Sequence, residues 1–309
     1  MSQPPLITFS EVRSNFIKSY ILVFILISMI VGMGYLIGYF AGDPKYGLII
    51  SILACAIIIP FQLLTSKFFI LRMTKGYPLD MSNPKHRRLK SIVEGLAISA
   101  GLHHTPDMYI TPSSVPNAFA GGMSEESAFV GVTDGLLNMM DDRELTGVMA
   151  HEISHIVHKD VMLTQITVAL VSVILFLSYI LSRIVYFSRP GKGKKGGGGR
   201  GGLVILAIII FAAIVRPLAQ LIANIIMLAI SRKREYAADA YAVRLCGFNE
   251  GLASALSKLG GLGQLEQDDR DSLGGDYMKA MYIFFGNEES LFSTHPPIRE
   301  RVRRLRNMY

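Results

Sequence analysis

Residues 149–187 read MAHEISHIVHKDVMLTQITVALVSVILFLSYILSRIVYF. Near its start, HEISH sets His151 and His155 four residues apart. On an α-helix two side chains so spaced share a face, one turn up, and their imidazoles can ligate a single metal ion. Glu152 lies on the adjacent edge, where it can take a proton from a water polarised by that metal. From Val161 onward the chain is apolar for 27 residues, more than the roughly 20 that span the hydrocarbon of a bilayer. A site that needs water thus abuts a segment suited to lipid. The plain alternative, two solvated histidines on a wet helix face, sits poorly with apolar Val148, Ala150, Ile153, Ile156 and Val157 around them.

The rest of the chain repeats this mixture. Half of the 309 residues are hydrophobic and the mean hydropathy is +0.38, too apolar for an ordinary soluble domain. Four apolar runs stand out, 17–41, 47–71, 161–187 and 203–230, each at least 25 residues long. The first is too long for a signal peptide, and no small-residue cleavage pattern follows it. The turn GDPKY at 42–46 folds runs one and two into a hairpin, and Pro60 is placed to kink the second helix. Arg13 and Lys18 flank the first run, while Lys67, Arg72, Lys75, Lys85, Arg87, Arg88 and Lys90 crowd the end of the second. This asymmetry puts the N-terminus and the residues beyond 72 in the cytoplasm. The connector 188–202, whose core is RPGKGKKGGGGRGG, carries five basic residues. It faces outward if runs three and four both cross, as expected, and reads as a flexible linker. The net charge of +7 gathers beside apolar runs, which points to membrane topology rather than nucleic acid. Cys55 and Cys246, the two cysteines, make neither a disulfide framework nor a thiolate metal cluster.

The organisation that follows is an N-terminal segment 1–16, a hairpin 17–71, soluble residues 72–160, a second hairpin 161–230 and soluble residues 231–309. The soluble parts read as one small α+β unit fed by long helices. Residues 83–102 form an amphipathic helix with Ile92, Leu96 and Ser99/Ala100 at helical spacing. Three extended stretches follow at 107–111, 117–120 and 128–132. Residues 141–160 are a helix started by the capping pair Asp141 and Glu144, read as the cytoplasmic extension of the third run. Residues 231–247 form another that closes at Gly247, and 252–259 and 293–306 are also helical.

A catalytic metal needs a third protein ligand and an open position. Glu235 heads EYAAD, so Asp239 follows one turn on, where it could accept the second N–H of a ligand histidine. Taken alone, Glu235 fits equally well as a surface acid paired with Arg232 or Arg234. His86, His103 and His104 read as surface residues, and His158 as a helix residue near the membrane interface. On the fourth run Arg216, Gln220 and Asn224 recur every four residues, a polar stripe for helix packing or a wet cavity.

Together HEISH, the hydrophobic hairpin, SRKREYAADAYA and FSTHPPIRERVRRL, with PNAFAGG and VGVTDGLL upstream, resemble the HtpX-type membrane zinc metalloproteases. These are gluzincins related to the CAAX prenyl proteases. The resemblance spans essentially the whole chain. It implies an α+β membrane protein with four transmembrane helices and a small zincin-like protease domain of helices and a short sheet. It also implies one zinc ion (Zn2+) per chain, and protein substrates, chiefly membrane proteins, cut at the plasma (inner) membrane in quality control. Residue by residue it implies His151, His155 and Glu235 as zinc ligands, Glu152 as general base and Asp239 as the carboxylate behind a ligand. His295 of THPP would stabilise the oxyanion, and Asn117 of NAFA would lie near the substrate cleft. On the residues alone, His295 and Asn117 are turn residues beside prolines. Two rival classes fit less well. A scaffold with a structural zinc has no use for Glu152. A metal transporter wants histidines or acids deep in several spans, and runs one to three contain none.

Overall fold

The structure, a computed structural model, describes residues 9–162, 165–166, 232–262 and 296–308. Run three beyond its first few residues, the whole of run four, the connector and His295 lie outside these. The described chain falls into two compact units, each taken by itself: a helical hairpin over Ile17–Thr65, and a mixed unit of Ser66–Gln165 with residues 232–308.

In the hairpin, α1 (Phe9–Ala41) and α2 (Pro44–Met73) are joined by a tight turn in which Gly42 takes φ 114°. Small residues let the two backbones meet. A Cβ on Gly47 would stand 2.0 Å from the Gly34 carbonyl oxygen, and one on Gly34 would stand 2.3 Å from Ser51 Oγ. Gly34-x-x-x-Gly38 thus faces Gly47-x-x-x-Ser51, the close-approach pattern of helices in lipid. Among the described residues, α2 is the one helix long and apolar enough to cross a membrane. Its outward side chains include Ile57 at 68% and Leu64 at 84% exposure, which no helix buried in a soluble core would show.

The mixed unit contains β1 (Tyr77–Pro78), α3 (Pro84–Ser99), β2 (Asp107–Thr111), β3 (Ala118–Gly121), β4 (Phe129–Thr133), α4 (Asp134–Met139), α5 (Asp142–Val157), α6 (Arg232–Cys246), α7 (Glu250–Gly260) and α8 (Ile298–Arg306). Its sheet has the order β1-β2-β4-β3. Strands β2 and β4 run parallel, and β3 lies antiparallel to β4 with Ala120 opposite Val130. The extended stretches read from the sequence are therefore present, two of them shifted by one residue, and a two-residue strand joins them.

Asn83 accepts from the Lys85 amide and Pro84 opens α3, a standard helix start. Its buried stripe is Leu89, Val93, Leu96 and Ala97, with Ile92 half-buried and Ser99 exposed. The apolar face is thus rotated from the expected one. His86 falls on this stripe, and is buried rather than on the surface. Its Nδ1 accepts from the Asp80 amide at 3.0 Å.

Helix α5 is the centre of the unit and packs against β3, α3, α6 and α7. The expected capping box is present: Asp141 accepts from the Arg143 and Glu144 amides, and Glu144 accepts from the Asp141 amide. Gly147 admits α7, since a Cβ there would meet the Leu252 amide nitrogen at 2.5 Å. The C-terminal end departs from expectation. Instead of running on through Asp160, α5 stops at Val157. His158 caps it, Lys159 takes φ 59°, and helical backbone resumes at Asp160. The metal-motif helix is a separate helix, not a continuous extension of the third run.

Candidate metal site

Helix α5 presents His151, Glu152 and His155, and α6 returns Glu235 and Asp239. His151 Nε2 lies 3.2 Å from His155 Nε2, and Glu235 stands 3.7 Å from the first and 3.6 Å from the second through its two oxygens. The three residues offer ligand atoms all within 4.8 Å of one another. Ligands about 2.0–2.1 Å from a tetrahedral zinc stand about 3.3 Å apart. The triangle is therefore close to the size that a zinc ion needs.

What lies behind each histidine fixes where its lone pair points. His151 Nδ1 is 3.0 Å from Asp239, and His155 Nδ1 is 3.1 Å from Asp160. An ionised carboxylate only accepts, so each Nδ1 carries the hydrogen and each Nε2 turns toward the shared point. Two such nitrogens 3.2 Å apart call for positive charge between them. Burial alone would lower the His155 pKa, but the hydrogen bond to Asp160 and the charge of Glu235 reverse this and raise it to about 9. Surroundings that hold an imidazolium so firmly also favour a metal cation. At His151 burial dominates and lowers the pKa to about 4, against the pull of Asp239. The donor set, two imidazoles and a carboxylate with oriented far nitrogens, suits zinc.

Each supporting acid is held in turn by an arginine. Arg301, fully buried, donates to Asp239 through Nε at 2.9 Å and Nη2 at 2.7 Å, and its Nη1 lies 3.4 Å from Glu235. Arg234 Nη1 donates to Asp160 at 2.9 Å. Glu235 is itself buried and Arg234 turns to Asp160, so the surface-acid alternative for Glu235 does not describe it. Asp160, Arg234 and Arg301 escaped the sequence reading. For Arg301 a signal existed: Ile298, Arg301 and Leu305 fall on one helical stripe, with Arg301 and Leu305 buried.

Glu152 is buried beside the ligands and accepts from the Ala120 amide on β3, the edge strand of the sheet. Burial pushes its pKa up to about 7; the charge of Glu235 adds to this, while His155, Arg301 and the Ala120 amide oppose it. Asn117 is fully buried where β3 begins. Its amide donates to Thr133 Oγ1 at 2.7 Å, and its side-chain oxygen accepts from the Ala118 amide at 3.0 Å. His158 is engaged elsewhere, 3.1 Å from Ser154 Oγ and edge-on to Tyr241. His103 and His104 are exposed, as expected. The His155 side chain is 14% exposed, against 1–2% for His151 and Glu235.

Comparison with known proteins identifies the family. Residues 83–309 match Peptidase family M48. A "Protease HtpX homolog" from Dictyoglomus thermophilum is 34% identical over 308 residues, covering 98% of this chain and 96% of the relative. One from Listeria monocytogenes is 34% identical over 304 residues, covering 97% and 99%. One from Thermoanaerobacter pseudethanolicus is 38% identical over 220 residues, covering 71% of each. Among solved structures, the crystal structure of S. mikatae Ste24p aligns with 96% of this chain and 67% of its own, at 23% identity and a TM-score of 0.46. The chain belongs to peptidase family M48. It is a metalloprotease of the HtpX type, as its motifs implied.

Proposed function

We propose that this metalloprotease is a multi-pass membrane enzyme that uses one zinc ion to cut peptide bonds in membrane proteins, as part of membrane protein quality control. The carrying observation is the convergence of His151, His155 and Glu235 at zinc-ligand spacing, with a carboxylate behind each histidine and Glu152 buried alongside. The four apolar runs and the lysine and arginine asymmetry support four spans, with the N-terminus and the active site on the cytoplasmic side of the cell membrane. The exposed apolar faces of α2 support the membrane reading independently. On this reading residues 72–160 and 231–309 make one zincin-like domain, interrupted by the hairpin 161–230.

His151, His155 and Glu235 would hold the metal. A bound zinc ion supplies Lewis-acid polarisation of a water and of the scissile carbonyl. Glu152 takes the proton from the attacking water and passes it to the leaving amine. Asp239 keeps the imidazole of His151 aimed. A substrate strand adds along β3, the terminal strand of the described sheet, beside Glu152, by main-chain hydrogen bonding. Asn117 fixes the start of that strand. His295, on the strength of the family resemblance, steadies the developing oxyanion.

The test is metal analysis together with a cleavage assay in detergent, comparing wild type with Glu152→Ala. Wild type should carry about one zinc per chain and cut a casein-like substrate, whereas Glu152→Ala should keep the zinc and lose cleavage. Cleavage by the variant at the wild-type rate would refute the mechanism.

A further inference from the structure

Asp160 lies where helical arithmetic would not put a partner for His155. Five residues on, a continuous helix would have carried it about 140° around from the histidine's face. The break after Val157 changes this. Lys159 takes φ 59°, a left-handed conformation that side chains rarely adopt, and the chain turns Asp160 back beneath the helix it has just left. Asp160 Oδ2 then lies 3.1 Å from His155 Nδ1, while Oδ1 accepts from Arg234 Nη1 at 2.9 Å. Asp160 and Arg234 are both buried. The two oxygens of one carboxylate therefore do different things: one orients an imidazole, the other is held by a guanidinium.

Their places in the chain add to this. Asp160 is the last residue before the third apolar run, and Arg234 follows the fourth run within a few residues. An ion pair thus joins the residue just before the third apolar run to one just after the fourth, and that pair ends on a histidine of the candidate site. His151 is supported in the same way by Asp239 and Arg301.

We propose that Asp160, held by Arg234, is a positioning residue that fixes the tautomer and aim of His155 toward the metal. This rests on the reading of His155 as a ligand. An orienting carboxylate of this kind governs metal affinity by roughly 10–100-fold, through the histidine and without touching substrate.

The test uses the full-length chain in detergent, stripped of metal and titrated with Zn2+ against a competing chelator. Visible spectra of the Co2+-loaded forms give a second readout. Asp160→Ala should weaken zinc about 10–100-fold and change the Co2+ bands. Asp160→Asn, which keeps an acceptor oxygen in a side chain of equal size, should lose less, and Arg234→Gln should move in the same direction. Asp142→Asn, an exposed residue paired with Arg88, should leave both readouts at wild type. Unchanged zinc affinity and Co2+ spectrum in Asp160→Ala overturn the proposal. Equal losses in Asp160→Ala and Asp160→Asn, with a lowered melting point of the chelated protein in both, also overturn it, because that pattern belongs to a merely structural ion pair. If wild type binds zinc no better than His155→Ala, the ligand reading falls and the proposal with it.

Discussion

Replacing Arg301 with methionine, which keeps most of the side chain's length and removes its charge, should unfold the mixed unit far more readily. The guanidinium is fully buried, makes two charge-assisted hydrogen bonds to Asp239, and stands 3.4 Å from Glu235. Both acids are 2% exposed in their side chains, so water cannot replace the lost partner. Removing one member of such a buried pair costs about 3–5 kcal/mol, most of it from the charge left behind. For a unit of this size each kcal/mol moves the melting point by roughly 2–4 °C, so the expected drop is about 6–20 °C. The chain has no tryptophan, so circular dichroism in detergent is the suitable readout, with chelator present to remove any contribution from metal. The control is Arg304→Met, three residues on. Arg304 is exposed, pairs with Glu300 and lies 3.9 Å over the Tyr236 ring, contacts that water screens. Its loss should hardly move the transition. Equal, small shifts for the two variants would refute the reasoning that Arg301 compensates buried acids.

Two further outcomes follow from contacts elsewhere. Gly47→Leu should lower the thermal stability of the chain by at least the roughly 1–3 kcal/mol of an overpacked site. The obstacle is the Gly34 carbonyl oxygen 2.0 Å from the new Cβ, which is backbone and cannot swing aside; a wild-type melting curve would show that α1 and α2 are not so closely apposed. At Glu144, burial raises the pKa, but hydrogen bonds from Lys258, Ser254 and the Asp141 amide outweigh it and hold it below its ordinary 4.5. A carboxyl lowered in the folded state stabilises above its unfolded value and loses that contribution as pH falls through the folded one. The melting-point gap between wild type and Glu144→Gln should therefore be full near neutrality and close below about pH 4.5; a gap independent of pH would refute the assignment.

The histidine pair was legible from helical spacing alone, whereas Glu235 was preferred to its surface-acid alternative only through the family resemblance. His151 and His155, and Glu235 and Asp239, are each four apart, and Asp141 with Glu144 marks the start of α5. Local patterns of this kind survive folding unchanged. What was missed depends on departures from them. Asp160 reaches His155 only because α5 breaks at Lys159, and nothing in HKD announces a left-handed lysine. Strand β1 is two residues long and exists only through its pairing with Tyr109 and Ile110. Arg301 and His86 are a different matter. Both sit in basic segments that suggest a wet surface, yet both fall on the apolar stripe of their helix. Phase around the helix, rather than local charge, was the better guide to their burial.

The order in which the chain is made gives the split site a temporal consequence. Glu235 follows His155 by 80 residues, and Arg301 lies a further 66 residues on. At the usual pace of translation, about 5–20 residues per second, Glu235 emerges roughly 4–16 s after the histidines, with both apolar runs and their connector between them. Arg301, which neutralises the acids around the centre, comes last. Until then the nascent chain presents two histidines and a glutamate without the residues that complete them. The intervening segment must be synthesised before the two halves can close, so the candidate centre can assemble only after Glu235 and Arg301 have emerged.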